Sequence, residues 1–246
     1  MSALEPLEIV QLEDDLYQLQ LDFVHAFLIH DPIDGWILID TGYPVKRGHP
    51  NIVIRALQKM NLTTSAIKQI LVTHGHPDHV GNIGEVEAQS HAPIWMSQQD
   101  AAILEAFIPV RPIYTPAGDP GKQIPFFSPA PVTHRLVDGE QIPLAGGITA
   151  IATPGHSAGQ LSFLWHRHHN ILFAADTITN VNHHVMIAPS NENYTTARAS
   201  LKKLANYSFD QLLVSHGADL LSNADQIFQQ KWLPELIAQT LNSKQK

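Results

Sequence analysis

Apolar and polar residues alternate from Asp15 to Asp22, the pattern of a strand with one face in a core and one toward water. Val24–Ile29 and Trp36–Ile39 are further apolar runs, joined by the turn-forming segment Asp31-Pro-Ile-Asp-Gly35. The first forty residues therefore read as a strand meander. The period then changes. Val53, Ile54, Leu57 and Met60 recur at helical spacing after Pro50, a residue suited to a first helical turn. Gln69–Thr73 is short, apolar and rich in branched residues, which predicts a buried strand. A helix is expected from Gly81-Asn82 to about Gln89, a strand over 93–97 and a helix over 98–107.

Strands are expected again near 132–137, 141–144 and 147–153, with a turn at Asp138-Gly139, then a hairpin of 161–166 with 170–175 and a run at 211–215. Thr195–Asn206 is an amphipathic helix with Ala197, Leu201 and Leu204 on one face. Ile227, Trp232, Leu233, Leu236, Ile237 and Leu241 keep helical spacing, with a kink or break expected at Pro234. Residues 108–131 fit no regular element. Seven prolines punctuate them, with Ile113, Tyr114, Phe126 and Phe127 between. Long irregular segments of compact domains are often lids or binding loops, and 108–131 is read as a substrate-facing lid rather than an inert insertion.

At 246 residues, with no internal linker, repeat or low-complexity tract, residues 1–246 read as a single domain. The net charge of −8 and the lack of a Lys/Arg-rich run argue against a nucleic-acid partner. The absence of cysteine excludes disulfides, thiolate ligands and a cysteine nucleophile. No basic, then apolar, segment opens the chain, and no apolar run approaches a membrane span, so a cytoplasmic protein with no membrane partner is expected.

Against this background His74-Gly75-His76-Pro77-Asp78-His79 stands out. It sets four potential metal ligands on the loop leaving strand 69–73. Pro77 is expected to keep this loop from continuing as helix and to hold the residue before it extended. In a chain with fifteen histidines such a run could be accidental. Three more candidates, however, each close an apolar run: His156 after 148–153, Asp176 after 170–175 and His216 after 211–215. Imidazoles and carboxylates in this mixture suit zinc, iron or manganese.

Leu38–Gly42, Thr73–Asn82, Thr153–Gly159, Leu172–Thr177 and Ser215–Gly217, taken in this order, resemble the metallo-β-lactamase-fold superfamily of binuclear metallohydrolases. The glyoxalase II (hydroxyacylglutathione hydrolase) and lactonase branch is the nearest part of it. The resemblance implies an α+β fold: a four-layer αββα sandwich of two mixed β-sheets flanked by helices. It implies two divalent metal ions, zinc first, with iron or manganese as alternatives. His74, His76 and His156 would hold one; Asp78, His79 and His216 the other; Asp176 would bridge them. A metal-bridging hydroxide, oriented by Asp78, would attack the carbonyl of a thioester, lactone or other carboxylic ester, and the net positive site would favour the developing oxyanion. Asp78 and Asp176 are thus the expected catalytic carboxylates, and Ser157 is a structural loop residue.

Asp40-Thr41-Gly42 is also the short signature of aspartic proteases, which need two such carboxylates; no second copy exists here. Asp40 is better read as a carboxylate that hydrogen-bonds a ligating imidazole from behind and fixes its tautomer. The histidines that match no ligand position are read as mostly exposed; His183 and His184 follow Asp176 closely, and a place at the pocket's border is the weaker reading for them.

Within the family, the lack of a cysteine ligand departs from many true β-lactamases, which leaves β-lactam hydrolysis as a minor activity. His76 stands where flavodiiron proteins have Glu. Thirty residues follow His216, too few for the helical domain that binds glutathione in standard glyoxalase II. Thr179 stands where many acyl-homoserine lactonases have Tyr. A small-molecule ester, thioester or lactone is the expected partner. The alternative is a metal-binding sensing or regulatory protein with the same fold and no turnover.

Overall fold

Strand alternation in the first forty residues belongs to a wider ladder than the sequence pattern marks. The computed structural model describes residues 3–106, 127–167 and 169–239. Most of the expected lid (108–126), together with Phe107, His168 and Leu241, lies outside them. The chain divides into two compact units, Met1–Leu136 and Val137–Lys246.

The first unit holds one seven-stranded sheet whose spatial order follows the chain: β1 (Leu7–Glu13), β2 (Leu16–Leu21), β3 (Val24–Asp31), β4 (Gly35–Ile39), β5 (Ile67–Leu71), β6 (Ile94–Ser97) and β7 (His134–Leu136). Neighbours from β1 to β4 are antiparallel and need only tight turns; from β4 to β7 they are parallel and need crossovers. Helices α1 (Ile52–Lys59), α2 (Pro77–Val80), α3 (Ile83–Ser90) and α4 (Gln98–Ala106) lie in those crossovers. Helix α1 starts at Ile52, not Pro50, because Asn51 caps it: its side chain accepts from the N–H groups of Val53 (3.0 Å) and Ile54 (3.2 Å). Ile52, Val53, Ala56 and Leu57 of α1 pack with Leu19, Leu28, Leu38, Ile70 and Ile83 in the unit's core.

Strand β5 ends at Leu71, two residues short of the expected end. Val72 still donates to the Trp95 carbonyl (2.9 Å), but Thr73 turns its N–H to the Asp40 carboxylate (2.9 Å) instead of the ladder. The chemistry of the loop thus decides where the strand stops.

The second unit holds a five-stranded sheet of β8 (Gln141–Ile142), β9 (Ile148–Ala152), β10 (Leu161–Trp165), β11 (Ile171–Phe173) and β14 (Gln211–Leu213), in the order β14-β11-β10-β9-β8. Only β11 and β14 pair in parallel. Strands β12 (Thr179–Val181) and β13 (His184–Met186) form a separate antiparallel hairpin. Helix α5 (Tyr194–Leu204) buries Ala197, Leu201 and Leu204 against Leu164, Leu172, Leu212, Phe228 and Trp232. Helix α6 (Ala224–Ile227) runs through a π-helical turn, Phe228–Trp232, into α7 (Leu233–Ala238). The irregularity expected at Pro234 is this widened turn. Proline has no N–H to donate and its ring crowds the carbonyl four residues back, so a wider turn accommodates it. The mixed sheets with their helices establish the α+β class. Among the described residues no helix is long and apolar enough to cross a membrane.

Asp138 joins the start of this unit to α5. It accepts from the Ala152 N–H (2.9 Å) and from Lys203 Nζ (2.5 Å). Burial pushes its pKa up, but Lys203 and the Ala152 amide outweigh that and hold the carboxyl below its ordinary value of 3.8. A carboxyl depressed on folding stabilises the fold above its unfolded pKa, and the contribution fades as pH falls through the folded value. Asp138 is half exposed, so the effect is screened. Asp138→Asn is expected to lower stability by no more than about 1 kcal/mol at neutral pH. In urea titrations the gap from the unsubstituted protein should narrow as the pH is taken below 3.8.

Candidate metal centre

Strands β4 and β5 run parallel, so the residues leaving their C-terminal ends emerge side by side. Asp40 leaves β4 with φ +60, a left-handed conformation that Asp adopts more readily than most residues. Its carboxylate accepts three hydrogen bonds: from the Thr73 N–H (2.9 Å), the Thr73 hydroxyl (2.7 Å) and His79 Nδ1 (2.8 Å). A hydroxyl has one proton, and Thr73 gives it to Asp40. Toward His74 Nδ1, at 3.0 Å, the Thr73 oxygen is therefore an acceptor, and Nδ1 of His74 carries the hydrogen. His74 and His79 are both held as Nδ1–H tautomers, which leaves each Nε2 with a lone pair for a metal.

Pro77 acts differently from the expectation above. His76 is extended (φ −75, ψ 150), as a residue before proline should be, but Pro77 opens α2 rather than preventing a helix. At a first helical position the missing N–H has no partner to lose and the fixed φ suits the helix. This single turn carries Asp78 and His79, both buried. The His79 carbonyl accepts from the Thr41 N–H (2.7 Å) and hydroxyl (2.9 Å), and Asn82 Nδ2 donates to the carbonyls of Thr41 (2.7 Å) and Tyr43 (2.8 Å). Gly81 permits the approach, because a Cβ there would lie 2.3 Å from the Pro44 ring. On the other side the Gly75 N–H donates to Asp100 (3.0 Å). His74 Nε2 ends 2.9 Å from His76 Nδ1, and His79 Nε2 lies 3.8 Å from an Asp78 oxygen. Burial raises the pKa of the Tyr43 phenol and the Asp78 carboxylate raises it further, so Tyr43 is neutral beside this loop.

The second unit builds its ligands at strand ends too. His156 follows β9 through Pro154 and Gly155. Gly155 has φ +137, and a Cβ would lie 2.4 Å from the Ala197 nitrogen, so only glycine lets this turn pack on α5. Asp176 follows β11 in a 3-10 turn, after Ala175 at φ +51. His216 follows β14. Its carbonyl accepts from the Asn180 N–H (3.0 Å), and Gly217 sits against the Asn180 carbonyl, where a Cβ would meet the oxygen at 2.1 Å. These contacts bring Asp176 Oδ2 to 3.2 Å from His156 Nε2 and 3.4 Å from His216 Nε2.

Ligand atoms sharing a tetrahedral zinc with bonds near 2.1 Å lie roughly 3.3 Å apart. The His74–His76 separation in one unit and the two contacts of Asp176 in the other are close to that spacing. Every candidate is an imidazole or a carboxylate, a donor set for zinc, iron or manganese rather than for soft metals. In each unit, then, imidazole and carboxylate donors of the kind that suit a divalent cation are buried or partly buried at strand ends.

The supporting residues were less legible. Thr73 precedes His74 directly and carries no motif of its own. Asp100 sits in Ser97-Gln-Gln-Asp100, which matches a helix-capping pattern. Ser97 does accept from the Asp100 N–H (3.1 Å), but the acid side chain reaches the ligand loop instead. The other histidines serve local roles. His49 pairs with Glu5, His134 stacks on Trp95, His166 bonds Thr149, and His183 and His184 are exposed at the β12–β13 turn.

The family model of the metallo-beta-lactamase superfamily matches residues 19–216, and the chain belongs to that superfamily. Among its relatives, the probable metallo-hydrolase YflN of Bacillus subtilis is 25% identical, over 82% of this chain and 83% of its own. Thioesterase pkgB of Emericella nidulans is 26% identical over 85% of this chain. The hydroxyacylglutathione hydrolase of Bdellovibrio bacteriovorus is 27% identical over 72% of this chain. The chain spans about half the length of these last two relatives, 47% and 55%. BJP-1, a subclass B3 metallo-β-lactamase of Bradyrhizobium japonicum, superposes with a TM-score of 0.70 over 95% of this chain and 92% of its own, at 24% identity. That likeness shows the metallo-β-lactamase fold.

Asp40→Ala is expected to weaken metal affinity about 10- to 100-fold, because His79 loses the group that fixes its tautomer. Competition against a chromophoric chelator measures this. Unchanged affinity in a folded variant would remove Asp40 from the centre.

Proposed function

We propose that the chain is a binuclear metal-dependent hydrolase of a thioester, lactone or other carboxylic ester, working as one catalytic domain over residues 1–246. In this reading His74, His76 and His156 hold one cation, Asp78, His79 and His216 hold the other, and Asp176 is shared. The carrying observation is the Asp176 carboxylate: one oxygen lies between two imidazole nitrogens at 3.2 and 3.4 Å, the setting of a bridging ligand. Two divalent cations supply Lewis acidity for the carbonyl and lower the pKa of the attacking water.

The chain's own groups then have defined tasks. Asp40 and Thr73 keep the hydrogens of His79 and His74 on Nδ1, so that their Nε2 atoms serve as ligands. Asp78 is buried beside His79 Nε2 and orients the attacking water by accepting its hydrogen bond. Ser157 is buried in the turn that carries His156, where its carbonyl accepts from the Gly155 N–H at 3.0 Å, and the metal-hydroxide route needs no serine nucleophile. The names of two relatives, a thioesterase and a hydroxyacylglutathione hydrolase, favour thioesters within the ester class.

Metal-analysed protein assayed side by side on S-lactoylglutathione, acyl-homoserine lactones, aryl esters and a β-lactam is expected to favour the thioester. Asp176→Asn should lose on the order of a hundredfold or more in kcat/KM together with part of its bound metal. Full turnover with unchanged metal content in that variant would overturn the shared-carboxylate reading.

A further inference from the structure

Strand β10 lies in the middle of the second unit's five-stranded sheet, between β9 and β11. Strands β9 and β11 lead to the candidate ligands His156 and Asp176; β10 leads to none. Because β10 is antiparallel to both neighbours, its first residues lie beside the ends from which those ligands leave. Ser162, the second residue of β10, stands there. It is fully buried and shares its face of the sheet with Ile151 and Leu164 of the apolar core. Alanine would fill such a place with no polar group to satisfy.

The Ser162 hydroxyl is satisfied on both sides. It donates to the Ala174 carbonyl (3.2 Å), which can only accept, and it lies 3.0 Å from the Thr153 hydroxyl. Its one proton is committed to Ala174, so Thr153 donates to Ser162. A directed chain of hydrogen bonds thus runs from Thr153 through Ser162 to Ala174. Thr153 is the root of the turn that ends in His156, and Ala174 opens the 3-10 turn that holds Asp176. The strand ladder does not supply this link, because β10 and β11 pair only as far as Phe163 and Phe173. Other bonds steady each turn by itself. The Thr153 N–H donates to the Gln160 carbonyl (2.9 Å), and on α5 the Ser200 hydroxyl donates to the Pro154 carbonyl (2.7 Å). The Ala174 N–H donates to the Leu213 carbonyl (2.8 Å). The hydroxyl chain joins one turn to the other, and the ligands they carry meet at 3.2 Å, His156 Nε2 to Asp176 Oδ2.

We propose that Ser162 is a positioning residue: through Thr153 and Ala174 it sets the separation of His156 from Asp176, and with it the affinity for the cation that His156 holds. The inference rests on the reading of His156 and Asp176 as ligands. Ser162 acts through the roots of the two turns, as residues that orient metal ligands from behind do, and the loss of such a residue typically weakens metal binding about 10- to 100-fold.

The test measures zinc affinity, by competition against a chromophoric chelator, together with the imidazole 1H–15N signals of His156 in metal-free protein. Ser162→Ala and Thr153→Val are each expected to weaken the affinity about tenfold. Both cut the same chain, so the double variant should bind no more weakly than either single one. Thr153→Ser keeps the hydroxyl and should keep the affinity. In metal-free protein both single variants should shift the His156 ring signals and leave those of His166 in place, since that ring bonds Thr149 at the other end of β9. A lowered Tm with zinc affinity and His156 signals unchanged would make Ser162 a packing residue and overturn the proposal. Losses that multiply in the double variant, or a Thr153→Ser variant as weak as Thr153→Val, would overturn it too. An unsubstituted protein that takes up no zinc would sink the ligand reading instead, and the His156 signals would still decide whether Ser162 positions that ring.

Discussion

The Asp40 carboxylate is the constraint on which the first unit's ligand loop depends. It stands at the end of β4, where a parallel neighbour delivers Thr73 within reach, and it accepts three hydrogen bonds from residues 33 and 39 positions further along the chain. Two of those bonds end β5 and turn the chain; the third orients an imidazole. Thr73 passes the constraint on to His74, because its only proton is already committed to Asp40. Strand pairing, loop geometry and ligand tautomer are thus consequences of one buried acceptor. The hydrogen bonds that hold these imidazoles come from the protein's own residues.

The second unit reaches the same end by a different route. Close backbone approaches do much of the work, with the Asp219 carboxylate accepting from the Val214 N–H (2.8 Å) just before His216. Gly155 against α5 and Gly217 against the Asn180 carbonyl fix the turns that follow β9 and β14. Ala175, a residue with no intrinsic preference for positive φ, adopts φ +51 just before Asp176. Strain of this kind costs on the order of 1–3 kcal/mol and persists where surrounding contacts over-determine it. Here those contacts are the Ala174 N–H on the Leu213 carbonyl (2.8 Å) and the Thr177 hydroxyl on the Ala174 carbonyl (2.6 Å). Their result is a carboxylate oxygen between two imidazoles.

The ligand candidates were legible in the sequence because each closes an apolar run, and chance decoration has no reason to respect strand ends. The strands and helices around them were legible by period, with boundaries moved by local chemistry, as at Asn51 and Thr73. Other features left no periodic trace. Strand β1 is a half-exposed edge with Glu8, Gln11 and Glu13 along it, so its apolar face is diluted. The β12–β13 hairpin has three-residue strands and an Asn-His turn where Asn-Gly would have marked it. Asp100 was hidden in a capping pattern whose side chain serves another loop. In sequence Pro77 has the look of a helix breaker, although at a first helical position it is a helix starter.

The most direct measurement is the tautomeric state of the histidines in metal-free protein, read from long-range 1H–15N correlations of the imidazole rings. The expected result is the Nδ1–H tautomer for both His74 and His79, with His79 switching or losing its single tautomer in Asp40→Ala. An Nε2–H tautomer at His79 in the unsubstituted protein would contradict it, because the buried carboxylate would then not be preparing the ring to bind a metal.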